Sequence, residues 1–274
     1  MPAPRLLVLQ HIACEPPAAY EDELRDWGVD LVRVEVDEGE PLPDWREFAG
    51  IVAMGGPMGA YEDETYTWLG PEKELIAEAV RAGLPFWGVC LGSQLLAACL
   101  GARVYAGERA EVGVLPVSLT EAAARDPVFA GAPTEFPTLQ WHGDTFDLPE
   151  GATLLASSPA YPHQAFRFER AYALQFHIEV SPALAREWAD VPAYAASLEA
   201  LLGPGALPRL VDELEAVSGP MTSLARELFA RWLGSVAELT ERAGRRVGPP
   251  RPFPRPSTTR PTRARSSAAS RPGG

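Results

Sequence analysis

Cys90 stands between two apolar runs of different length. The run before it, residues 84–89, has the length of a strand, and the run after it, residues 91–100, has the length of a helix. Gly88 and Gly92 flank the cysteine, as in a strand–turn–helix nucleophile elbow. Such a turn places the sulfur at the positive end of a helix, which favours the thiolate. The alternative is a buried cysteine that serves only as a small hydrophobic side chain.

A cysteine nucleophile needs a histidine to carry its proton and a third group to orient that histidine. His177 ends the apolar, strand-like run at residues 171–176 and precedes Glu179 by two positions. In a strand these two side chains share a face, so Glu179 can hold one imidazole nitrogen and leave the other for Cys90. The alternative is a strand-end histidine beside a solvated glutamate. No H-x-x-x-H or C-x-x-C spacing indicates a metal site.

Attack on a carbonyl group also needs preorganised N–H donors for the developing oxyanion. The amide of Leu91, directly after the cysteine, offers one donor. A second candidate is the glycine-rich turn at residues 53–59, which follows a short apolar run. Adjacent glycines there let the backbone approach a ligand closely. The alternative is an ordinary strand-to-loop turn.

Four segments together resemble the class I glutamine amidotransferases, the type with a Cys, His and Glu triad. The segments are Gly-Gly-Pro at 55–57, Gly-Val-Cys-Leu-Gly-Ser-Gln at 88–94, Trp-His-Gly-Asp at 141–144 and Gln-Phe-His-Ile-Glu at 175–179. Their order and spacing agree with that family over roughly residues 5–190. Within that family, the chain resembles stand-alone proteins similar to the glutaminase domain of GMP synthase.

The resemblance implies roles for individual residues. Cys90 would be the nucleophile, His177 the general base and acid, and Glu179 its orienting partner. The remaining implied roles are oxyanion donors from the backbone of Gly56 and Leu91, and contacts to the substrate from Gly55, Gln94, His142, Gly143 and Asp144. The family usually has proline between the histidine and the glutamate. Here Ile178 stands at that position, and we expect a looser turn with no reactive group lost.

The implied reaction is hydrolysis of the glutamine side-chain amide through a cysteine γ-glutamyl thioester. The ammonia would pass to a separate synthetase subunit, because the sequence shows neither a G-x-x-x-x-G-K-[ST] nor a G-x-G-x-x-G signature for nucleotides. No cofactor is expected. One alternative is a self-sufficient hydrolase of γ-glutamyl amides or peptides. A second alternative is a non-enzymatic regulatory relative, against which the intact triad argues.

The elements that must position these residues alternate between strand and helix patterns up to residue 100. This alternation predicts an α/β fold with an open, mostly parallel sheet and helices on both faces, and the resemblance implies a flavodoxin-like order. Residues 103–173 show short strand patterns instead, with a closing hairpin at 166–168 and 172–176. The polar stretch 139–146, which contains His142, is predicted as a pocket-lining loop. Residues 183–243 are predicted to be helical, with runs at 207–217 and 221–239.

The composition and the distribution of charge indicate how the chain is divided. The 274 residues are 46% hydrophobic and carry a net charge of −13. Residues 245–274 hold eight arginines and no acid, which leaves −21 on residues 1–244. We expect a catalytic domain at 1–192, a helical extension packed on it at 193–243, and a disordered basic tail at 244–274.

Three cysteines without a pairing pattern, no apolar run of membrane-spanning length and no signal-peptide core favour a soluble, cytoplasmic protein. The acidic body makes nucleic-acid binding improbable except through the basic tail. A membrane partner is not expected. The expected small-molecule partner is glutamine or another γ-glutamyl compound.

Overall fold

The computed structural model describes residues 4–246, with side chains described as far as residue 237. Nearly all of the tail predicted to be disordered, residues 247–274, lies outside the described residues. The strands are β1 (Arg5–Gln10), β2 (Asp30–Glu35), β3 (Gly50–Ala53), β4 (Phe86–Val89), β5 (Val104–Leu119), β6 (Glu135–Phe146), β7 (Thr153–Ser157), β8 (Ala165–Phe168) and β9 (Ala171–Leu174). The helices are α1 (Ala19–Asp26), α2 (Leu69–Arg81), α3 (Leu91–Cys99), α4 (Pro182–Trp188), α5 (Pro192–Leu202) and α6 (Leu207–Arg246).

The nine strands form one sheet in the order β2-β1-β3-β4-β9-β8-β7-β5-β6. The five strands from β2 to β9 are mutually parallel, and the pairs from β9 to β6 are antiparallel. Helix-linked strands therefore form the parallel half, and the hairpin-linked strands of the second half extend it on one side. The predicted α/β fold with its closing hairpin is confirmed, within a sheet that is mixed.

Both faces of the parallel half are covered. β3 and β4 are buried at every position, as expected for strands with helices above and below them. Along β1, Leu6 and Val8 pack into a core shared with α1, α4 and α6, whereas Leu7 and Leu9 pack into a core shared with α2 and α3. This alternation has the period of two that a strand imposes on its side chains. The apolar pattern of the sequence therefore specifies a three-layer arrangement.

The C-terminal helices pack on the face that carries α1. Phe229 and Trp232 of α6 contact Trp87 of β4, with ring centroids 5.6 and 5.9 Å away. Arg226 binds Glu23 and Asp26 of α1 at 2.8 and 3.3 Å. The two helical runs predicted at 207–217 and 221–239 are one helix of 40 residues that continues through Pro220. The division of the chain at residues 192 and 243 stays a prediction.

The prediction of a loop at 139–146 was wrong. These residues belong to β6, where His142 pairs with Glu111 of β5 and Asp144 pairs with Ala106. The polar side chains suggested a loop, yet they face a buried polar cluster and a cavity rather than solvent.

Within residues 4–246, no helix combines the length and apolar character needed to cross a membrane.

Candidate active site

Cys90 occupies a tight turn in which the flanking residues have no room for a side chain. The residue lies between the end of β4 and the start of α3, with φ 50° and ψ −108°. A Cβ on Gly88 would lie 2.5 Å from the carbonyl oxygen of Gly92, and one on Gly92 would lie 2.1 Å from that of Ala53. Both glycines are therefore required by close backbone approach. The left-handed φ of Cys90 itself costs roughly 1–3 kcal/mol, which the surrounding structure must offset.

The neighbouring parallel strand brings His177 to this turn. Val89 of β4 pairs with Leu174 of β9, and the N–H of Cys90 donates to the carbonyl of Leu174 at 2.8 Å. His177 follows three residues later and exchanges backbone hydrogen bonds with Leu139 of β6, at 2.9 and 3.0 Å. The carboxyl ends of two adjacent strands therefore hold the sulfur and the imidazole, although 87 positions separate them in the sequence.

The imidazole is oriented by a buried carboxylate. His177 Nδ1 lies 2.7 Å from Glu179 Oε1, and both residues are at most 3% exposed. Because a carboxylate accepts, Nδ1 carries the proton and Nε2 is left to interact with Cys90. Burial opposes the charged imidazolium, yet the Glu179 carboxylate and Cys90 together outweigh it and raise the pKa of His177 well above its ordinary value. His177 is therefore a strong acceptor for a thiol proton.

The sulfur is buried and its pKa reflects opposing effects. Burial raises the pKa of the Cys90 thiol, whereas hydrogen bonds from His177 and from the amide of Leu91 lower it. Burial is the largest of these effects, so the net shift of the Cys90 pKa is upward, opposite to the lowering expected from the helix terminus. The imidazole bonded to the sulfur is the group positioned to exchange a proton with it.

Ile178 contributes a hydrogen bond that proline could not make. Its backbone N–H donates to Glu179 Oε2 at 3.0 Å, while Oε1 of the same carboxylate holds His177. The Ile178 side chain is fully buried in the core. The extra N–H donor and the buried side chain both oppose the expected loosening of the turn, which stays a prediction.

Two backbone amides face the sulfur from different elements. Leu91 begins α3 and directs its N–H to Cys90. Gly56 lies in the loop after β3 and lines the same cavity as Cys90. Among residues 4–237, no acceptor pairs with the Gly56 N–H. The loop is tied to the elbow by the N–H of Gly92, which donates to the carbonyl of Met54 at 3.0 Å. Both predicted oxyanion donors therefore lie in backbone segments next to the sulfur.

A cavity of about 320 Å³ opens beside the sulfur. The predicted site residues on its wall are Gly56, Cys90, Gln94, His142, Gly143 and Asp144. Gly55, predicted to contact the substrate, is not on this wall, because its carbonyl faces His11 and its Cα packs against Glu15. His177 and Glu179 lie behind Cys90 rather than on the wall. Among the described residues that line the cavity, Glu62 and Asp144 are the charged ones.

Hydrogen bonds hold the side chains that were predicted to contact the substrate. Gln94 donates to Gln175 at 3.1 Å, and Gln175 in turn places its amide nitrogen 3.7 Å from the Cys90 sulfur. His142 Nδ1 donates to the carbonyl of Asp144 at 2.9 Å. Burial raises the pKa of the Asp144 carboxyl, and the hydrogen bond from Tyr61 opposes that rise. Gln175 was missed as a site residue, although it stands in the same segment as His177.

Two further side chains beside the sulfur were not identified from the sequence. Tyr194 of α5 lines the cavity and its hydroxyl donates to Glu15 Oε1. Glu15 is 2% exposed, its Oε2 has no hydrogen-bond partner, and burial raises its pKa while the positive charge of His177 opposes this. Neither residue belongs to a readable motif. The first residues of the predicted extension therefore contribute to the site wall.

Trp188 of α4 closes the site behind the imidazole. Its ring meets His177 edge-on, with centroids 4.7 Å apart, and its indole N–H donates to the carbonyl of Cys14 at 2.7 Å. An apolar ring on this side excludes water from the His177 and Glu179 pair.

Among the described residues, no group of three or more His, Cys, Asp or Glu side chains could hold a metal ion.

Comparison with known proteins gives a consistent result. The sequence profile described as glutamine amidotransferase class-I matches residues 19–187. The chain is 34% identical over 180 residues to the glutamine amidotransferase-like protein YfeJ of Salmonella typhimurium, which covers 64% of this chain and 75% of YfeJ. The crystal structure of a glutamine amidotransferase from Thermotoga maritima superposes with a TM-score of 0.77 at 35% identity, over 85% of this chain and 99% of that one.

The chain also matches part of a larger enzyme. It is 38% identical over 133 residues to the glutamine-hydrolysing GMP synthase of Thermomicrobium roseum. That match covers 48% of this chain and 23% of the GMP synthase, so the chain spans about a quarter of that relative.

Proposed function

Because this chain belongs to the class I glutamine amidotransferases, we propose that it hydrolyses the side-chain amide of glutamine through a thioester on Cys90. One observation carries the proposal. Cys90, His177 and Glu179 form a buried, hydrogen-bonded relay next to the cavity that Gly56 also lines. In this proposal the three side chains act as nucleophile, general base and acid, and orienting group.

In the first half-reaction the sulfur attacks the amide carbon of glutamine. The thiol proton moves to His177 Nε2, and the Glu179 carboxylate stabilises the resulting imidazolium. The N–H groups of Gly56 and Leu91 bind the oxyanion. His177 then gives its proton to the departing nitrogen, the C–N bond breaks, and ammonia leaves the γ-glutamyl thioester behind.

In the second half-reaction water replaces ammonia in the space beside the thioester. His177 takes a proton from the water, whose oxygen attacks the thioester carbon. The same two amides stabilise the second oxyanion. The C–S bond breaks, the proton returns to sulfur, and glutamate is released. Each half-reaction uses the same groups in reverse order, so no cofactor is required.

The far end of the substrate would bind on the wall formed by Gln94, His142, Gly143 and Asp144. The charged side chains there, Asp144 and Glu62, are acidic and suit the α-ammonium group of an amino acid. The Tyr61 hydroxyl lies 3.3 Å from Asp144 Oδ1 and can hold that carboxylate in place. The α-carboxylate would then rely on backbone N–H groups and the amide of Gln94.

We further propose that the ammonia passes to a separate synthetase subunit. Support comes from the match to part of a GMP synthase whose name records glutamine hydrolysis. A second candidate function is hydrolysis of γ-glutamyl amides or peptides by this chain alone. The unpaired Gly56 amide on the cavity shared with Cys90 favours it, because this donor is free to meet a substrate without a partner chain.

The test is release of glutamate by the purified full chain, together with ammonia from glutamine or a free amino acid from a γ-glutamyl dipeptide. Glutamine and a panel of γ-glutamyl dipeptides serve as substrates, and Cys90→Ala and Cys99→Ala as variants. Cys99 is the matched control because it is the last residue of the helix that Cys90 caps and it packs in the core. We expect turnover by the wild type and by Cys99→Ala and none by Cys90→Ala. A preference for dipeptides over glutamine would favour the second candidate, and no release from any substrate would contradict both.

A further inference from the structure

A buried histidine lies under the loop that carries Gly56. His11 follows β1 directly, and neither it nor Glu72 of α2 is exposed to solvent. His11 Nδ1 lies 3.1 Å from the carbonyl oxygen of Gly55, and Nε2 lies 2.8 Å from Glu72 Oε1. The ring also stacks on Trp68, with centroids 5.6 Å apart and planes inclined by 20°. None of these side chains takes part in the reaction proposed above.

The direction of the hydrogen bond to Gly55 follows from its partner. A carbonyl oxygen only accepts, so Nδ1 of His11 must carry the proton and donate it. Burial disfavours the charged ring, but the Glu72 carboxylate, the Gly55 carbonyl and the charge of Glu15 together outweigh it and raise the pKa of His11. Glu72 therefore holds the ring in the form and orientation in which Nδ1–H points at Gly55.

The bond to Gly55 also determines where the next amide points. Within a trans peptide unit the carbonyl oxygen and the following N–H lie in one plane and point in opposite directions. When the Gly55 oxygen is held toward His11, the Gly56 N–H is turned away from His11. Gly56 itself lines the cavity together with Cys90, whereas His11 and Gly55 do not. Packing reinforces the arrangement, since a Cβ on Gly56 would lie only 3.1 Å from His11 Cβ.

We infer that His11 is a positioning residue: held by Glu72, it clamps the Gly55 carbonyl and thereby aims the Gly56 N–H at the oxyanion. The inference rests on the proposed function, since it concerns the same half-reactions. It adds that the oxyanion site is preassembled inside this chain. Formation of the thioester then does not wait for a synthetase to bind and orient the loop.

The experiment uses variants in a Glu72→Gln background, so that no unpaired carboxylate remains in the core. His11→Asn and His11→Leu are compared there, because their side chains have nearly the same shape. The asparagine amide can replace Nδ1–H as a donor to Gly55, and leucine cannot. Two rates are measured for the full chain. One is acylation of Cys90 by glutamine and by γ-glutamyl p-nitroanilide, and the other is alkylation of Cys90 by iodoacetamide.

Loss of a complete oxyanion donor lowers kcat by about 10²–10³, so a misdirected donor should slow acylation by at least about tenfold. We expect that decrease in His11→Leu relative to His11→Asn, with KM within about twofold. Alkylation forms no oxyanion, so its rate should be the same in both variants. If the leucine variant does not fold, His11→Gln replaces it, since its longer side chain cannot place the donor at the Nδ1 position.

Equal acylation rates in the two variants would overturn the inference and leave the proposed function intact. A parallel loss of alkylation would also overturn it, because His11 would then act on the sulfur or on the fold. If the wild type forms no γ-glutamyl adduct with either substrate, the proposed function itself fails and the inference falls with it.

Discussion

Replacement of Gly92 by alanine tests how tightly the elbow and the oxyanion loop are joined. A Cβ at this position would lie 2.1 Å from the carbonyl oxygen of Ala53, and real contacts of this kind are essentially never shorter than 3.0 Å. The two backbones must therefore separate by roughly 0.9 Å, because neither atom belongs to a flexible side chain. One backbone leads to Gly56 and the other carries Leu91, so the two proposed oxyanion donors move apart.

The displacement should change both the free energy of unfolding and the catalytic rate. Overpacking of a buried site costs about 1–3 kcal/mol of the free energy of unfolding, and the hydrogen bond from Gly92 to Met54 would lengthen as well. A misplacement of about 1 Å in catalytic geometry lowers the rate by about 10²-fold. We therefore expect a folded but less stable Gly92→Ala variant with a kcat for γ-glutamyl hydrolysis about 10²-fold below that of the wild type.

The assay pairs steady-state hydrolysis with urea unfolding and with alkylation of Cys90. Gly234→Ala in α6 is the matched control, because a Cβ there would meet Trp27 at 3.8 Å, an ordinary contact. That substitution should raise the free energy of unfolding by about 0.8–1 kcal/mol through helix propensity and leave kcat unchanged. A Gly92→Ala variant with a kcat within about twofold of the wild type would refute the reasoning.

Three other changes test separate parts of the site. Glu179→Gln removes the carboxylate that helps to raise the pKa of His177. The acid limb of the pH profile of kcat/KM should therefore move to lower pH while kcat falls, and an unmoved limb would contradict the role of Glu179 as the partner of His177. Tyr194→Phe leaves the buried Glu15 carboxyl without a donor and should lower the free energy of unfolding by about 1–3 kcal/mol, measured by urea denaturation; an unchanged midpoint would refute that contact. Deletion of residues 247–274 should leave kcat/KM within about twofold, since the cavity wall lies between Gly56 and Ser197; a large loss would mean that the tail shapes the site.

The parts of the site that the sequence predicted are those set by local geometry. The elbow at Cys90 follows from two glycines four positions apart. Strand periodicity predicted the contact of His177 with Glu179, although β9 ends at Leu174 and the two residues lie in the segment after it. The parallel half of the sheet follows from alternating strand and helix patterns. In each case the determining contacts join residues that are close in the chain.

The parts that could not be predicted depend on distant contacts. Tyr194 reaches Glu15 across 179 positions, and His11 reaches Glu72 across 61. No periodicity links such pairs, because only the packed sheet and helices bring them together. His142 was expected in a loop, because its polar neighbours do not show the alternation of a strand with one face in solvent.

The most direct test of the central claim is mass spectrometry of the chain after acid quenching during turnover of glutamine. The account predicts one γ-glutamyl group on Cys90, removed by hydroxylamine and absent in Cys90→Ala. Release of glutamate with no adduct on Cys90, or an adduct on Cys14 or Cys99 instead, would contradict it.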